Sequence, residues 1–321
     1  MSTPHLQARV HSMRYEAQDI LSLELRPASS EVVFPAYEPG SHIDLHLGNG
    51  LIRSYSLLNP SADDQRYVVG VLNDRNSRGG SRYVNEQLRV GTILPISGPR
   101  NNFKLHETAE LSVLVAGGIG VTPIYCMLQR LIALGRKVDV IYCARTRSEA
   151  AFVNEIAALV SERVKLTLHF DDEQKAPPQL DQLLATYPSD AHLYCCGPTP
   201  MLDAFEKTCE SFGYRSAHVE RFTAVHATPS STDVGYVVEL KRSGKVVEIA
   251  PGQSILDRLI EKGISLDYSC KEGVCGSCET KIISGDVEHL DSILTKSEKA
   301  ANKSMMICVS RCRGGTLVLD I

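Results

Sequence analysis

Cys270-Lys271-Glu272-Gly273-Val274-Cys275-Gly276-Ser277-Cys278 decides how the C-terminal part of this chain folds. The three cysteines are spaced Cys-x4-Cys-x2-Cys, and a fourth, Cys308, follows after 29 intervening residues. That spacing suits a [2Fe–2S] cluster, in which a tight loop supplies three thiolates and a distant strand the fourth. Gly273 and Gly276 allow the loop to take positive φ and to turn its N–H groups toward the sulfurs. A zinc site would favour a second Cys-x2-4-Cys pair, which is missing here. A two-iron cluster carries one electron at a time, so the loop marks a protein that moves electrons.

The rest of the composition is that of an ordinary globular protein. The chain has 321 residues, 43% hydrophobic and 22% charged, enough for two or three domains with real cores. Its 34 basic and 38 acidic residues give a net charge of −4, which argues against nucleic acid as a partner. No apolar run approaches the length of a membrane span, and the N-terminus lacks the basic-then-apolar pattern of a secretion signal. Four of the ten cysteines belong to the cluster loop and its partner. The other six (Cys126, Cys143, Cys195, Cys196, Cys209 and Cys312) lie mostly in apolar segments, where free buried thiols are common. A reducing cytoplasm is the expected location.

Three regions differ in pattern. Residues 1–106 carry short alternating stretches such as Ile20–Leu25, His42–Leu47 and Arg66–Val71, which predict an antiparallel β-barrel. Residues 107–226 alternate strand-like runs (Leu111–Ala116, Val138–Cys143, Val164–His169, His192–Cys196) with helical patterns. That alternation predicts a parallel sheet with helices on both faces. Residues 227–234 are small and polar and contain a proline, which reads as a linker. In residues 235–321 a hairpin around Arg242-Ser243-Gly244 and a helix from Ser254 precede the cluster loop. No internal repeat is present.

Several turns suit phosphorylated ligands. Ala116-Gly117-Gly118-Ile119-Gly120-Val121-Thr122-Pro123 follows a buried strand and opens a helix. Backbone N–H groups and the helix dipole there fit a diphosphate. Proline stands where the third glycine of G-x-G-x-x-G would be, so this is not the ordinary dinucleotide fingerprint; a plain strand-to-helix turn is the competing reading. Cys195-Cys196-Gly197-Pro198 ends a later strand and opens another helix, which places it beside the same crevice; a simple helix start explains it equally well. In the barrel region, Arg53-Ser54-Tyr55-Ser56 offers a cation, an aromatic face and a hydroxyl. Arg78-Gly79-Gly80-Ser81 adds a second basic, glycine-rich turn before a helix.

Taken in order, Arg-x-Tyr-Ser, Arg-Gly-Gly-Ser, Gly-Gly-Ile-Gly-x-Thr-Pro, Cys-Cys-Gly-Pro and the cysteine pattern ending in Met306-Ile307-Cys308-Val309-Ser310-Arg311 resemble the phthalate dioxygenase reductase family, within the ferredoxin–NADP reductase superfamily. Vanillate demethylase and phenoxybenzoate dioxygenase reductases are similar. The resemblance runs over essentially the whole length. It implies a flavin-binding barrel, a nucleotide-binding α/β domain and a C-terminal β-grasp plant-type ferredoxin domain, with Cys270, Cys275, Cys278 and Cys308 as iron ligands. It implies FMN contacted by Arg53, Tyr55 and Ser56, with Ser56 near flavin N5 and Arg78, Gly79, Gly80 and Ser81 on its phosphate. Gly118, Gly120 and Thr122 would meet the diphosphate of NADH, and Cys196, Gly197 and Pro198 its nicotinamide. Phe222 resembles the aromatic residue near the flavin, although a domain-boundary core residue would look the same. Asp171 and Asp172 follow the third parallel strand. A carboxylate there can accept from a ribose 2′-OH and repels a 2′-phosphate, which favours NADH; a solvated acidic loop is the alternative.

The activity implied is NADH-dependent reduction. Hydride passes to FMN, and single electrons pass through the cluster to the terminal component of a Rieske-type aromatic-ring oxygenase, in aromatic hydrocarbon catabolism. A monomer that docks transiently on its partner is expected. A free-standing NADH-dependent flavin, ferric or quinone reductase would use the same domains without an oxygenase.

Overall fold

The computed structural model describes residues 5–60, 65–223 and 234–321. The 227–234 linker therefore lies outside the described residues apart from Val234. Two compact units result, one spanning His5–Phe222 and one formed by Thr223–Ile321.

The larger unit begins with β1 (Leu6–Ala17), β2 (Ile20–Pro27), β3 (Ser41–His46), β4 (Ile52–Ser56), β5 (Tyr67–Leu72), β6 (Ile93–Ile96) and β7 (Arg100–Asn101). They form an antiparallel sheet in the order β4-β3-β6-β1-β2-β5, with β7 on β3. A bridge from Leu57 to Val69 joins the β4 end of the sheet to β5 and closes it on itself, removing the open edge. Alternating residues (Ala8 and Val10, Leu23 and Leu25, Ile43 and Leu45, Tyr67, Val69 and Val71) fill the interior, as the period of two requires.

The same unit continues with β8 (Leu111–Gly117), β9 (Lys137–Ala144), β10 (Val164–Phe170), β11 (His192–Cys196) and β12 (Ser216–Glu220). All pair in parallel, in the order β10-β9-β8-β11-β12. The order reverses direction at β8, so the crevice for a ligand opens beyond the carboxyl ends of β8 and β11. The helix Val121–Ala133 buries Val121, Ile124, Met127, Leu128 and Leu131 at helical spacing. Cys126 from this helix reaches the barrel core and its thiol donates to the Asn59 carbonyl at 3.2 Å. Barrel and parallel sheet are thus packed together through shared apolar contacts.

The smaller unit carries β13 (Tyr236–Leu240), β14 (Lys245–Ile249), β15 (Glu279–Ser284), β16 (Val287–Glu288), β17 (Ser304–Met306), β18 (Arg311–Cys312) and β19 (Thr316–Leu319). Five strands form one mixed sheet, β14-β13-β19-β15-β17, and β16 pairs with β18. The helix Ile255–Glu261, capped by the Ser254 side chain accepting from the Asp257 N–H at 3.0 Å, packs Ile255, Leu256 and Leu259 into the core with Val238, Leu240 and Leu317. This is the grasp of a sheet around one helix. Among the described residues, no helix is long and apolar enough to cross a membrane.

Candidate functional site

In the smaller unit the loop 270–278 brings the four cysteine sulfurs together. All ten cysteines of the chain are free thiols, so no disulfide competes for them. The loop depends on Gly273, whose φ is +70° and whose Cβ, if present, would stand 2.6 Å from Val309 Cγ2. The Gly273 carbonyl accepts from the Ser292 N–H at 2.9 Å. Lys271 Nζ pairs with Asp257 Oδ1 at 2.7 Å and ties the loop to the helix. Backbone N–H groups already point at sulfur: Glu272 donates to Cys270 Sγ at 3.3 Å and Cys270 to Cys275 Sγ at 3.5 Å. A hydrogen bond from the Cys270 thiol lowers Cys275 to about 5 and raises Cys270, and a bond with Cys278 raises Cys308. The sulfurs are thus paired, Cys270 with Cys275 and Cys278 with Cys308, and Cys275 also lies near Cys308; four thiols gathered in this way fit the donor set of a [2Fe–2S] cluster. Cys312 is buried on β18, where its thiol donates to the Gly314 carbonyl at 3.1 Å.

On the barrel, β4 is pinned by β3. Asp44 accepts from Ser54 Oγ at 2.6 Å and from Arg100 Nη2 at 2.7 Å, and despite burial these partners hold its carboxyl below the usual range. Strand alternation then puts Arg53 and Tyr55 on one face of β4 and Ser56 on the other. Burial pushes the Tyr55 phenol up to about 12. Arg53 lies across Gly80: a Cβ there would meet Arg53 Cγ at 2.6 Å, and Arg53 Nη2 donates to the Arg78 carbonyl at 3.4 Å. The fold therefore gathers Arg53 with Arg78, Gly79, Gly80 and Ser81 at the start of the helix Gly80–Glu86. Ser81 Oγ accepts from the Asp74 N–H at 3.3 Å and donates to Ser77 Oγ at 2.8 Å. A cation and a run of helix N–H groups in one place suit a terminal phosphate.

Across the crevice, the Gly117–Gly120 turn lies directly on the Cys196–Pro198 turn. A Cβ on Gly120 would fall 2.2 Å from the Cys196 carbonyl oxygen and 2.8 Å from the Gly197 nitrogen. Gly118 has φ +53° and open space around it, so its backbone faces the crevice. Thr122 is placed differently from the other residues of this turn. It is buried, its hydroxyl donates to the Ile119 carbonyl at 3.1 Å, and its methyl packs on Gly70 of β5. Its side chain serves the joint between barrel and sheet.

Asp171 begins a short helix after β10, half-buried, with Oδ1 3.3 Å from His169 Nε2. Arg147 from the neighbouring strand end pairs with Glu173 at 3.2 Å and lies over the Phe170 ring at 4.4 Å. Phe222 follows β12, 38% exposed.

One residue of the site escaped the sequence reading. Glu220, the last residue of β12, pairs in register with Cys196, and Ser56 Oγ donates to its Oε2 at 3.3 Å. Burial raises its carboxyl to about 8 against that hydrogen bond, so it is mostly protonated at neutral pH. Glu220 links the flavin strand to the nucleotide sheet. Its only sequence signal was a carboxylate two residues before Phe222.

Comparison with known proteins follows the same outline. Residues 238–313 match the model of the 2Fe-2S iron-sulfur cluster binding domain, and residues 97–219 that of the N-terminal domain of dimethylamine monooxygenase subunit DmmA-like proteins. The chain is 43% identical to phenoxybenzoate dioxygenase subunit beta of Ectopseudomonas oleovorans, covering 98% of this chain and 96% of that one. It is 44% identical to tetrachlorobenzoquinone reductase of Sphingobium chlorophenolicum, covering 95% and 94%. The solved structure of phthalate dioxygenase reductase, described as a modular structure for electron transfer from pyridine nucleotides to [2Fe–2S], aligns with a TM-score of 0.71 and 34% identity over 99% of this chain and 98% of that one. The chain belongs to the phthalate dioxygenase reductase family. Membership in that family makes it an oxidoreductase, with the flavin barrel and parallel nucleotide sheet in the larger unit and the [2Fe–2S] domain in the smaller.

Proposed function

We infer that this chain is the NADH-dependent reductase component of a Rieske-type aromatic-ring oxygenase, a cytoplasmic monomer that docks transiently on the terminal oxygenase. The observation that carries this reading is the presence of four converging cysteine sulfurs in the same chain as a flavin barrel and a nucleotide sheet. Barrel and sheet alone suffice for a reductase of small molecules. A cluster domain in the same chain adds a one-electron exit suited to a protein acceptor. Phenoxybenzoate dioxygenase subunit beta is, by its name, a subunit of an aromatic dioxygenase.

When bound, FMN and the [2Fe–2S] cluster supply the conversion of a hydride's electron pair into single electrons. The protein supplies positions. In this reading Arg53 and the turn Arg78, Gly79, Gly80 and Ser81 hold the flavin phosphate. Tyr55 covers an apolar part of the ring, and Ser56, held by Glu220, presents its hydroxyl near the reacting edge. Phe222 lies beside the flavin. The Gly118–Gly120 turn takes the NADH diphosphate and Cys196, Gly197 and Pro198 border the nicotinamide, while Asp171 accepts from the adenosine ribose. Cys270, Cys275, Cys278 and Cys308 hold the irons. The domain division is 1–106, 107–226 and 235–321 with a linker at 227–234, supported by the last barrel strand ending at Asn101 and the first parallel strand starting at Leu111.

The test is anaerobic. Holoprotein with NADH is mixed with a purified Rieske-type terminal oxygenase, and its Rieske spectrum is followed. Rapid reduction that is lost in Cys308→Ala supports the reading; reduction at the same rate without the cluster sinks it. Chromatography of the acid-released flavin tests FMN, and mainly FAD would reject that part. A second reading, a quinone reductase, is favoured by the 44% identity to tetrachlorobenzoquinone reductase. In that case a chlorinated quinone would be reduced at full rate by the Cys308→Ala protein.

A further inference from the structure

At the amino ends of β11 and β12, away from the crevice, three imidazoles meet. His192 opens β11, His218 lies on β12, and His106 comes from the segment joining β7 to β8. The register pairs His192 with Ser216 and Tyr194 with His218, so His192 and His218 project from one face of the sheet. The His218 ring lies against Tyr194, with centroids 4.6 Å apart. The Tyr194 hydroxyl accepts from the His106 N–H at 2.9 Å, which holds the backbone of the third histidine in place. The donor nitrogens of all three lie within 4.8 Å of one another.

We propose that His106, His192 and His218 form a binding site for a divalent transition-metal cation of the zinc, nickel or copper type. His192 Nδ1 and His218 Nε2 are 3.4 Å apart. Two imidazole nitrogens at 2.0–2.1 Å from a tetrahedral ion stand about 3.4 Å from each other, so this pair already has the required separation. His106 is exposed and needs a shift of about 1 Å to complete a three-nitrogen face. An all-imidazole set selects borderline transition metals over magnesium or calcium, which prefer oxygen. The exposed side leaves a fourth position for water. The ion would clasp the connector between barrel and sheet onto the two strands at the sheet edge. Without metal, the same three rings would form only a polar stack.

The probe is zinc chloride, titrated calorimetrically into iron-replete, flavin-replete holoprotein in a non-coordinating buffer. About one zinc per chain is expected, with a higher melting temperature. His106→Asn, at an exposed position, should weaken binding about tenfold or more while iron content, flavin content and the NADH–ferricyanide rate stay unchanged. His218→Gln should abolish binding. If no stoichiometric binding occurs at about 100 µM zinc, where a micromolar site is filled, the proposal is overturned. Equal binding by wild type and His106→Asn overturns it too, because the zinc would then sit elsewhere.

Discussion

Gly120→Ala tests whether the two strand-end turns act as one rigid piece. The new methyl would lie 2.2 Å from the Cys196 oxygen, 2.5 Å from the Cys196 carbonyl carbon and 2.8 Å from the Gly197 nitrogen. All three are backbone atoms, so no side chain can swing aside. Ordinary contact between carbon and such atoms needs well over 3 Å, so the turns must part by about 1 Å. Overpacking of this kind costs roughly 1–3 kcal/mol of stability. The larger effect falls on the reaction, since a misplacement of about 1 Å can cost on the order of 10²-fold in rate. Gly135→Ala, just past the end of the helix Val121–Ala133, is the control: its methyl would meet nothing within 4 Å, and only the φ of +66° is unfavourable, at roughly 1 kcal/mol. NADH–ferricyanide kinetics on both variants, with iron and flavin contents measured, decides the matter. Gly120→Ala should lose about 100-fold in kcat/KM with its cluster intact, and Gly135→Ala far less. Near-wild-type kcat/KM for Gly120→Ala, or a worse result for Gly135→Ala, would refute the reasoning.

Cys312→Ala should keep full iron content and the visible cluster spectrum, because its thiol is bound to the Gly314 carbonyl, whereas Cys308→Ala should lose both; metal analysis and absorption would reveal the opposite pattern. NADH should be preferred over NADPH in kcat/KM, and Asp171→Ser should narrow the preference; an unchanged ratio would remove Asp171 as the reader. Glu220 has a carboxyl raised to about 8. Its contribution to stability is therefore full below the ordinary carboxyl value and lost as pH rises through about 8. Melting temperatures of wild type should fall relative to Glu220→Gln between about pH 5 and pH 8.5, and parallel profiles would show that the carboxyl ionises normally.

What the sequence disclosed was local. The cluster loop was legible because three ligands lie within nine residues, and loop closure over so short a span leaves few geometries. The strands were legible because each is a short run of strand-forming residues: β3 alternates in sequence, with Ile43 and Leu45 in the barrel interior, while β8 and β11 are apolar apart from Ser112 and His192, as strands covered on both faces tend to be. The turn after β8 was legible as a glycine-rich strand end, although its glycines divide their work. Gly118 supplies the open backbone, and Gly120 the close approach to β11.

What stayed hidden was set by register between distant segments. Thr122 stands in a motif that suggests a ligand contact, yet Gly70, 52 residues earlier in the sequence, leaves a hole that its methyl fills. A hydroxyl drawn into that joint finds the Ile119 carbonyl instead of solvent. Glu220 is the converse case. Nothing nearby in sequence marks it, and its partner Ser56 is 164 residues away. It becomes visible only when parallel pairing sets it beside Cys196 and barrel closure brings the end of β4 to the same crevice. A carboxyl buried there without a cation is costly to ionise, and proteins keep such groups where a proton or a hydrogen bond must be held in place. Glu220 therefore stands where the end of the Ser56 strand meets the parallel sheet, a placement that no reading of a single segment could have supplied.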